Sequence, residues 1–341
     1  MTASSLSLRF FTPLLLGGLC GTWTAPAVRA QEKTVSLEMA AAAKTLLQQL
    51  PAAQKAQVHL SFADSERLRW SNEPESMHAR KGLTVSEMDS SARSALQRLL
   101  RTVLSEQGYF KALNVMRLDG YLQGQGGGAV ARSEGSGRYW LTIFGQPDAG
   151  NRWGWRFEGH HFSLNVTQAA AGIRCTPLFY GADPATFPQG PLTGWQNMFA
   201  ETDRGWRLLQ SFDHGQRTKA MVAPRIPEAK DILVRSGKEP LLGKFQGVAY
   251  TALHKAQQRQ LAQLVAVYLQ NIRPELAAYY SQQIQWSQLY FGWWGGDKAG
   301  APVYYRIHGP GLVIEYCSRL GNPNHIHTLL RFLPADFGGG L

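Results

Sequence analysis

Residues 153–159 read WGWRFEG and residues 303–309 read VYYRIHG, and this shared pattern indicates the fold of the chain. In both stretches aromatic and β-branched residues alternate with other residues between turn signals, which is typical of hairpin strands. Arg156 in the first stretch matches Arg306 in the second. Aromatic runs precede the two stretches and apolar runs follow them, at residues 139–144, 289–294, 162–166 and 312–316. We therefore predict an antiparallel β-meander in each half of the chain.

Apolar residues at helical spacing lie upstream of both meanders. Residues 46–50 and 208–212 belong to similar amphipathic segments, and a second pair of such segments follows Gly82 and Gly247. Apolar residues that recur every three or four positions predict helices with one buried face. The candidate N-caps of the second pair of helices are Ser86, Asp89 and Thr251.

The repeated order of elements predicts an α+β fold with an internally duplicated unit of two amphipathic helices followed by an antiparallel β-meander. The first α+β repeat is expected at residues 31–190 and the second at residues 191–341. The join is expected within residues 185–194, which are rich in proline and glycine. The halves form either separate domains or one shared sheet, and the sequence does not decide between these arrangements.

Residues 1–30 have the three-part pattern of a secretory signal peptide. A short polar segment carries Arg9, an apolar run follows, and small residues suit cleavage after Ala30. The apolar run is too short, and too interrupted by proline and glycine, for a membrane anchor. A buried N-terminal helix is the alternative interpretation. We expect a periplasmic or secreted protein with no transmembrane anchor after processing.

The chain is basic, with a formal net charge of +11. Its basic residues are scattered and no stretch matches a nucleic-acid-binding motif, so we expect no nucleic-acid partner and a solvated surface that attracts anionic groups. Cys175 and Cys317 remain after removal of the predicted signal peptide. They form either one disulfide or two buried thiols, and their spacing does not decide between the two. The oligomeric state is also left open.

The motifs of several enzyme classes are absent. The chain has no Gly-x-Ser-x-Gly, no His-Glu-x-x-His and no Cys-x-x-Cys sequence, so the standard α/β-hydrolase, zincin and thiol-redox signatures are excluded. The glycine-rich run at residues 124–129 loosely resembles a dinucleotide-binding loop, but it follows a helix-like segment rather than a strand. We interpret this run as a flexible surface loop.

Histidines in strand-like segments of both halves are the candidate metal ligands. His325 and His327 are expected on one face of a strand because side chains alternate, and His161 lies in the other half. If the halves pack about a pseudo-two-fold axis, these residues and Glu315 meet in one site. Imidazole nitrogens suit Zn²⁺ or Cu²⁺, and Glu315 is the candidate catalytic base or fourth ligand. The alternative is that the histidines make ordinary structural hydrogen bonds.

Other residues are candidates for supporting this site. His160 is a reserve ligand beside His161, and Asn165 occupies the position that matches Glu315. Two carboxylates, Asp183 and Asp336, are candidates for orienting the imidazoles by hydrogen bonds.

Aromatic residues on the predicted hairpins form a second constellation: Trp140, Trp153, Trp155, Trp293, Trp294, Tyr304 and Tyr305. Their alternating spacing favours a core, and the alternative is a sheet face that stacks on a glycan or another flat small molecule. Arg156 and Arg306 lie among them and either pair with Glu158 and Glu315 or bind a ligand carboxylate or phosphate. Pairing is favoured because a charged residue near a core needs a partner.

Five stretches together resemble an uncharacterised family, the domain of unknown function 3500. They read WRFEGHHFSLN, TPLF, YYRIHGP, IEY and NHIHT, at residues 155–165, 176–179, 304–310, 314–316 and 324–328. The resemblance covers nearly all of the chain after residue 30. It implies no established activity or substrate, and it places His160, His161, His325 and His327 in the signature segments of the family.

The chain departs from the family pattern at two places. Cys317 stands where the resemblance leads us to expect an acidic or amide residue, and residues 329–332 read LLRF instead of the more usual VWRD. If either acidic residue assists a metal or catalysis in the family, this chain is an inactive or altered member.

The sequence supports three hypotheses of function. The first is a metal-dependent extracytoplasmic hydrolase or oxidase, with His161, His325 and His327 as ligands and Glu315 as the catalytic residue. The second is a non-enzymatic ligand-binding envelope protein that uses the aromatic and arginine-rich sheet faces. The third is a structural envelope protein without a small-molecule site.

Overall fold

The computed structural model describes residues 25–124, 136–228, 244–298, 300–319 and 322–341. Residues 1–24 of the predicted signal peptide and residues 125–129 of the glycine-rich run lie outside the described residues. The described helices are α1 (Ala25–Gln49), α2 (Ala52–Val58), α3 (Ser90–Arg101), α4 (Glu106–Gly124), α5 (Phe199–Gln210), α6 (His214–Ala220), α7 (Lys255–Leu269) and α8 (Pro274–Gln283). None of these described helices combines the length and the apolar composition that a membrane span requires.

The strands form one 13-stranded sheet. They are β1 (His59–Leu60), β2 (Leu83–Thr84), β3 (Trp140–Phe144), β4 (Trp153–Glu158), β5 (Phe162–Ala169), β6 (Gly172–Arg174), β7 (Leu178–Ala182), β8 (Met221–Ala223), β9 (Val248–Ala249), β10 (Tyr290–Gly295), β11 (Val303–His308), β12 (Leu312–Arg319) and β13 (Asn322–Phe332). The predicted α+β class is therefore confirmed.

The order of the strands is β1-β3-β4-β5-β7-β13-β12-β11-β10-β8, with β2, β6 and β9 paired beside this path. The pairs β1–β3 and β8–β10 are parallel, and the other pairs are antiparallel. The sheet is thus mixed, because the short strands β1 and β8 add to the outer sides of the two predicted meanders. The meanders join where β7 pairs with β13. Of the two arrangements left open by the sequence, strands from both halves form one shared sheet.

The sheet has one apolar face, which packs against the helices. Register places eight apolar side chains directly opposite one another across the strands: Leu141, Phe157, Leu164, Leu178, Leu330, Ile314, Ile307 and Phe291. All belong to the main hydrophobic core, together with residues of α1, α3, α4, α5, α7 and α8. Full burial of each such side chain contributes roughly 1.5–3 kcal/mol. This core holds the helices and the sheet together as two layers.

The opposite face of the sheet is more polar and carries the residues of chemical interest. Residues one position along each strand from the apolar row point to this face, and across the strands they are Glu158, Ser163, Phe179, Leu329, Glu315 and Arg306. A second hydrophobic cluster covers part of this face, where Trp70 packs on Phe179 with ring centroids 5.9 Å apart. The aromatic residues of the hairpins, from Trp140 to Tyr305, are buried, so the prediction of a core is confirmed for them.

Local signals in the sequence account for several element ends. Asp89 is the N-cap of α3, and its Oδ1 accepts a hydrogen bond of 2.8 Å from the Ala92 N–H. The predicted cap at Thr251 is wrong, because this residue lies in a short 3₁₀ turn and His254 caps α7. Gly82 and Gly247 both have a positive φ, of 110° and 107°. An added Cβ would lie 2.3 Å and 2.1 Å from carbonyl oxygens of β3 and β10, so only glycine fits there.

The two described cysteines are buried thiols. Cys175 belongs to the main core between the sheet and the helices, whereas Cys317 belongs to the second cluster on the other face. Of the two alternatives left by the sequence, the structure has two thiols rather than a disulfide.

Candidate metal centre

The predicted metal ligands meet at one end of the central seam of the sheet, where β5, β7 and β13 lie side by side. His325 and His327 are two residues apart on β13, so both side chains point to the polar face. His161 directly precedes β5, and its carbonyl accepts a hydrogen bond of 2.6 Å from the Gly181 N–H. Gly181 in turn lies opposite His327. One row of the sheet therefore brings residues from two distant segments together.

Gly181 makes room for the imidazoles. A Cβ added at this position would lie 2.8 Å from Cδ2 of His327 and 2.9 Å from Cδ2 of His161. These distances are shorter than carbon atoms tolerate, so a side chain here would push the two rings apart. The gap left by this glycine lets histidines from β13 and from the start of β5 approach across β7.

The three Nε2 atoms converge on one small volume. His325 Nε2 lies 3.2 Å from His161 Nε2 and 2.9 Å from His327 Nε2. One ligand atom of each histidine lies within 4.8 Å of the others. His161 is fully buried, whereas His327 is 6% and His325 is 8% exposed. The group is therefore shielded from bulk water and open to solvent only beside His325 and His327.

Carboxylates determine the tautomers of two of these rings. Asp119 of α4 has its Oδ1 2.6 Å from His161 Nδ1, and Asp183 has its Oδ2 3.1 Å from His325 Nδ1. Each Nδ1 faces a hydrogen-bond acceptor, so it carries the proton and Nε2 presents a lone pair. Both carboxylates are held in turn, because Tyr139 Oη donates to Asp119 and Asn322 Nδ2 donates to Asp183 over 2.9 Å.

The two carboxylates differ in pKa. Burial raises the pKa of Asp119 to about 6, although the His160 charge and the hydrogen bond from Tyr139 act in the opposite direction. Burial also tends to raise the pKa of Asp183, but the hydrogen bond and the charge of His325 outweigh it, and the net pKa is lowered. Asp183 is half-buried, whereas Asp119 is buried.

The donor set fits a borderline divalent metal ion. Zn–N bonds of roughly 2.0–2.1 Å in tetrahedral geometry place ligand nitrogens about 3.3 Å apart, and the His161–His325 spacing of 3.2 Å is close to this value. Lone pairs that face one another at such distances repel unless a proton or a cation lies between them. A cation can accept a lone pair from all three nitrogens at once, and imidazole suits both Zn²⁺ and Cu²⁺.

The structure does not bring the other predicted site residues into this group. Glu315 accepts hydrogen bonds from Tyr304 Oη and from Arg306 Nη2, the latter over 3.4 Å. Asp336 lies at the opposite end of the seam, where its Oδ2 is 2.6 Å from Arg331 Nε. Asn165 donates to Ser163 Oγ and to the Pro177 carbonyl, over 3.2 Å and 3.0 Å. These three residues therefore have contacts of their own outside the histidine group.

His160 and the two arginines also have defined places. The His160 ring stacks on that of His161, with centroids 3.8 Å apart and an interplanar angle of 24°. It thus lies beside a candidate ligand rather than among the three converging nitrogens. The predicted ion pairs are confirmed, since Arg156 Nε lies 2.7 Å from Glu158 and Arg306 Nη2 lies 3.4 Å from Glu315.

Asp119, Tyr139 and Gly181 were not predicted from the sequence to belong to the site. A signal for Asp119 exists, because it follows Ala112 and Val115 at helical spacing and so falls on the buried side of α4. A carboxylate on a buried helical face needs a polar partner. Neither Tyr139 nor Gly181 has such a signal, since their roles depend on which strands are neighbours.

Comparisons with known proteins agree with the resemblance noted in the sequence. No curated protein matches the chain, and no solved structure matches it. The family model described as "Protein of unknown function (DUF3500)" matches residues 32–339. Since the match covers almost the entire chain, this protein belongs to the DUF3500 family.

Proposed function

We propose that this protein is a metal-dependent enzyme, a hydrolase or an oxidase, whose metal ion is held by Nε2 of His161, His325 and His327. The convergence of these three nitrogens carries the proposal. A bound Zn²⁺ supplies an activated water for hydrolysis, and a bound Cu²⁺ supplies a redox partner. Three protein ligands leave a coordination position for water or substrate, as in catalytic rather than structural sites.

The surrounding carboxylates support a cationic occupant. Asp119 and Asp183 each bond the outer nitrogen of a candidate ligand, at 2.6 Å and 3.1 Å. Such partners keep imidazoles in the metal-binding tautomer and raise their basicity. Two carboxylates also offset the charge of a divalent ion, which makes burial of that ion less costly.

The solvent-facing side of the site is the natural path for a substrate. His325 is slightly exposed, and the side chain of its partner Asp183 is 27% exposed. The opposite side is closed by Phe179, whose ring lies edge-on to His327 at 5.3 Å, and by Trp70 above it. A small molecule would therefore reach the centre beside His325 and Asp183.

Metal analysis of the full chain, purified without added metal and then titrated with Zn²⁺ or Cu²⁺, tests the proposal. We expect one equivalent of tightly bound metal in the natural protein and loss of that binding in His325→Ala. His308→Gln is the matched control, because His308 is also buried and its Nε2 bonds the backbone of Gln246 rather than another histidine. Substoichiometric binding by the natural protein, or unchanged binding by His325→Ala, would contradict the proposal.

The alternative of a ligand-binding sheet face has less support. The aromatic residues expected to stack on a ligand are buried, and Arg156 and Arg306 are engaged with carboxylates. A sheet face whose aromatic rings are buried, and whose Arg156 and Arg306 are paired with carboxylates, offers little to a glycan or an organic acid.

We also propose export and internal duplication. Residues 1–30 have the composition of a signal peptide, which supports a periplasmic or secreted location. The strand order reads similarly from each edge of the sheet to the β7–β13 pair, and Gly82 and Gly247 occupy equivalent places before the first long strand of each meander. Detection of the mature N-terminus near residue 31 in the extracytoplasmic fraction would test export.

A further inference from the structure

A row of oxidisable side chains leads away from the candidate metal centre across the polar face. It consists of His327, Cys317, Tyr304 and Trp294, and we call it the oxidisable row. Cys317 lies directly opposite His327, Tyr304 opposite Cys317, and Trp294 opposite Tyr304. Residues directly opposite in neighbouring strands have Cβ atoms about 4.5–5.5 Å apart. The row is therefore continuous from a metal ligand to strand β10.

The row is dry. His327 and Trp294 are 6% and 7% exposed, Cys317 is 4% exposed, and Tyr304 is fully buried. The rings of Trp294 and Tyr304 are 5.1 Å apart and edge-on. Both residues and Cys317 belong to the same hydrophobic cluster as Trp70 and Phe179. Tyrosine, tryptophan and cysteine are the side chains that lose one electron most readily, and here they line up in one buried row.

Tyr304 has the partners that a one-electron oxidation of a phenol requires. Its Oη donates a hydrogen bond to Glu315 Oε1 and accepts one of 2.6 Å from Arg306 Nε. Burial, and next the charge of Glu315, raise the pKa of Tyr304 well above its usual value. The phenol therefore keeps its proton at neutral pH and can be oxidised only if that proton moves to a neighbouring base. Glu315 is placed to accept it.

Resting on the metal site proposed above, we infer that the oxidisable row delivers one electron from Tyr304 to that site when it holds copper and meets a peroxide. The O–O bond of hydrogen peroxide breaks as the peroxide takes one electron from Cu⁺ and one electron from Tyr304. The products are two hydroxide ions, Cu²⁺ and a tyrosyl radical. The phenolic proton of Tyr304 passes to Glu315. Glu315 is thus a base for Tyr304 rather than for a metal-bound water.

The same strand supplies a matched control. Tyr305 is the next residue of β11 and is equally buried, but it points to the helix side of the sheet. Its Oη bonds Tyr268 Oη at 2.7 Å and the Glu201 carbonyl at 2.9 Å. These partners are a phenol and a backbone carbonyl rather than a carboxylate, and Tyr305 is not part of the row, so its oxidation is not expected.

The test uses the full chain loaded with copper, reduced with ascorbate, freed of excess reductant and mixed with hydrogen peroxide. Metal analysis first establishes the copper content, and freeze-quenched electron paramagnetic resonance then follows Cu²⁺ and any organic radical. We expect a tyrosyl signal in the natural protein and in Tyr305→Phe. We expect loss of that signal in Tyr304→Phe and a slower appearance of it in Cys317→Ala, with copper content unchanged in all.

The possible failures are distinguishable. Absence of copper binding overturns the metal site and the electron transfer together. Full copper binding with oxidation to Cu²⁺ but no radical in the natural protein overturns the electron transfer alone. A radical of the same size in Tyr304→Phe shows that another residue is oxidised and overturns the role of Tyr304. Circular dichroism of each variant checks that the fold is kept.

Discussion

Buried polar side chains have different kinds of partner at the two ends of the central seam, where β7 pairs with β13. At one end Arg331 is fully buried and its Nε is 2.6 Å from Asp336 Oδ2, so positive and negative charge cancel within the chain. At the other end three imidazole nitrogens face one another, with Nε2 atoms 3.2 Å and 2.9 Å apart. The first end carries both charges of its ion pair within the chain. The second end gathers three nitrogens that suit a cation, and this difference is the physical basis of the proposed site.

The comparison also explains why similar residues have different roles. Asp336 and Asp183 both follow the end of a strand of the seam and were both predicted to orient imidazoles. Asp183 bonds His325 at 3.1 Å, whereas Asp336 bonds the arginine that occupies its own end. The role of each carboxylate therefore depends on its neighbour at that end of the seam, which is His325 for Asp183 and Arg331 for Asp336.

The largest expected effect is at the Arg331 end. Asp336→Ala leaves a buried guanidinium without its partner, and we expect a loss of about 3–5 kcal/mol in the free energy of unfolding. Urea unfolding at neutral pH measures this loss. Replacement of both residues, Arg331→Met with Asp336→Leu, should cost much less because no lone charge stays buried. Equal losses in the single and the double variant would contradict the comparison.

His308 is a buried histidine away from the seam, and it contrasts with His161 and His325, whose Nδ1 atoms face carboxylates. Burial lowers the pKa of His308 from 6.5 to about 4. The folded state therefore resists protonation, so its stability is complete above pH 6.5 and falls as the pH drops from 6.5 towards 4. The loss reaches up to about 3 kcal/mol. His308→Gln should lose less stability than the natural protein between pH 7 and pH 4.5. The same pH dependence in both proteins would show that other groups are responsible.

Metal ions should stabilise the folded protein through the histidine end of the seam alone. At a free Zn²⁺ or Cu²⁺ concentration 100 times Kd, binding to the folded state adds about 2.7 kcal/mol to the free energy of unfolding. We expect thermal unfolding of the natural protein to shift to higher temperature with added metal and to return with a chelator. The His327→Ala variant should show no rise in unfolding temperature with added metal. The double variant Arg331→Met with Asp336→Leu should show the same rise as the natural protein. A shift in His327→Ala would place the metal elsewhere.

The smallest of the expected effects separates the carboxylates from the ligands. Asp119→Asn keeps the size of the side chain but weakens its hold on His161, and such changes typically cost about 10–100-fold in metal affinity. Titration with a competing chelator measures this loss. Asp148→Asn is a suitable control, because Asp148 is an exposed carboxylate paired with Lys44. An unchanged affinity in Asp119→Asn would remove this residue from the site.

The local architecture could be predicted from the sequence to a large extent. The alternation in residues 153–159 and 303–309 predicted strands that the structure has as β4 and β11, because period-two alternation is a property of each strand alone. The shared face of His325 and His327 follows from the same rule. The parallel additions β1 and β8 were not predicted, since strands of two or three residues leave too little pattern.

Only part of the candidate site could be predicted in this way. The three histidines were named from their residue type and strand context, and they do converge. Glu315 was added to the predicted site because its position in the second half matches that of Asn165 in the first. A position on the same face of the sheet does not decide which groups a carboxylate bonds. In the structure Tyr304 and Arg306 are nearer partners. Asp119 comes from a helix, whose placement over the sheet has no counterpart in the strand pattern.

The sequence alone determined the periodicities, and with them the long strands of each meander, two of the four described helices in each half, and which side chains share a face of these elements. These depend on the geometry of one helix or one strand. Only the tertiary structure decided that β5, β7 and β13 are neighbours, that Gly181 leaves space for two imidazoles, and that Glu315 bonds Tyr304. Contacts between segments far apart in the chain depend on how strands are ordered and how closely their backbones approach, and no local pattern encodes either quantity.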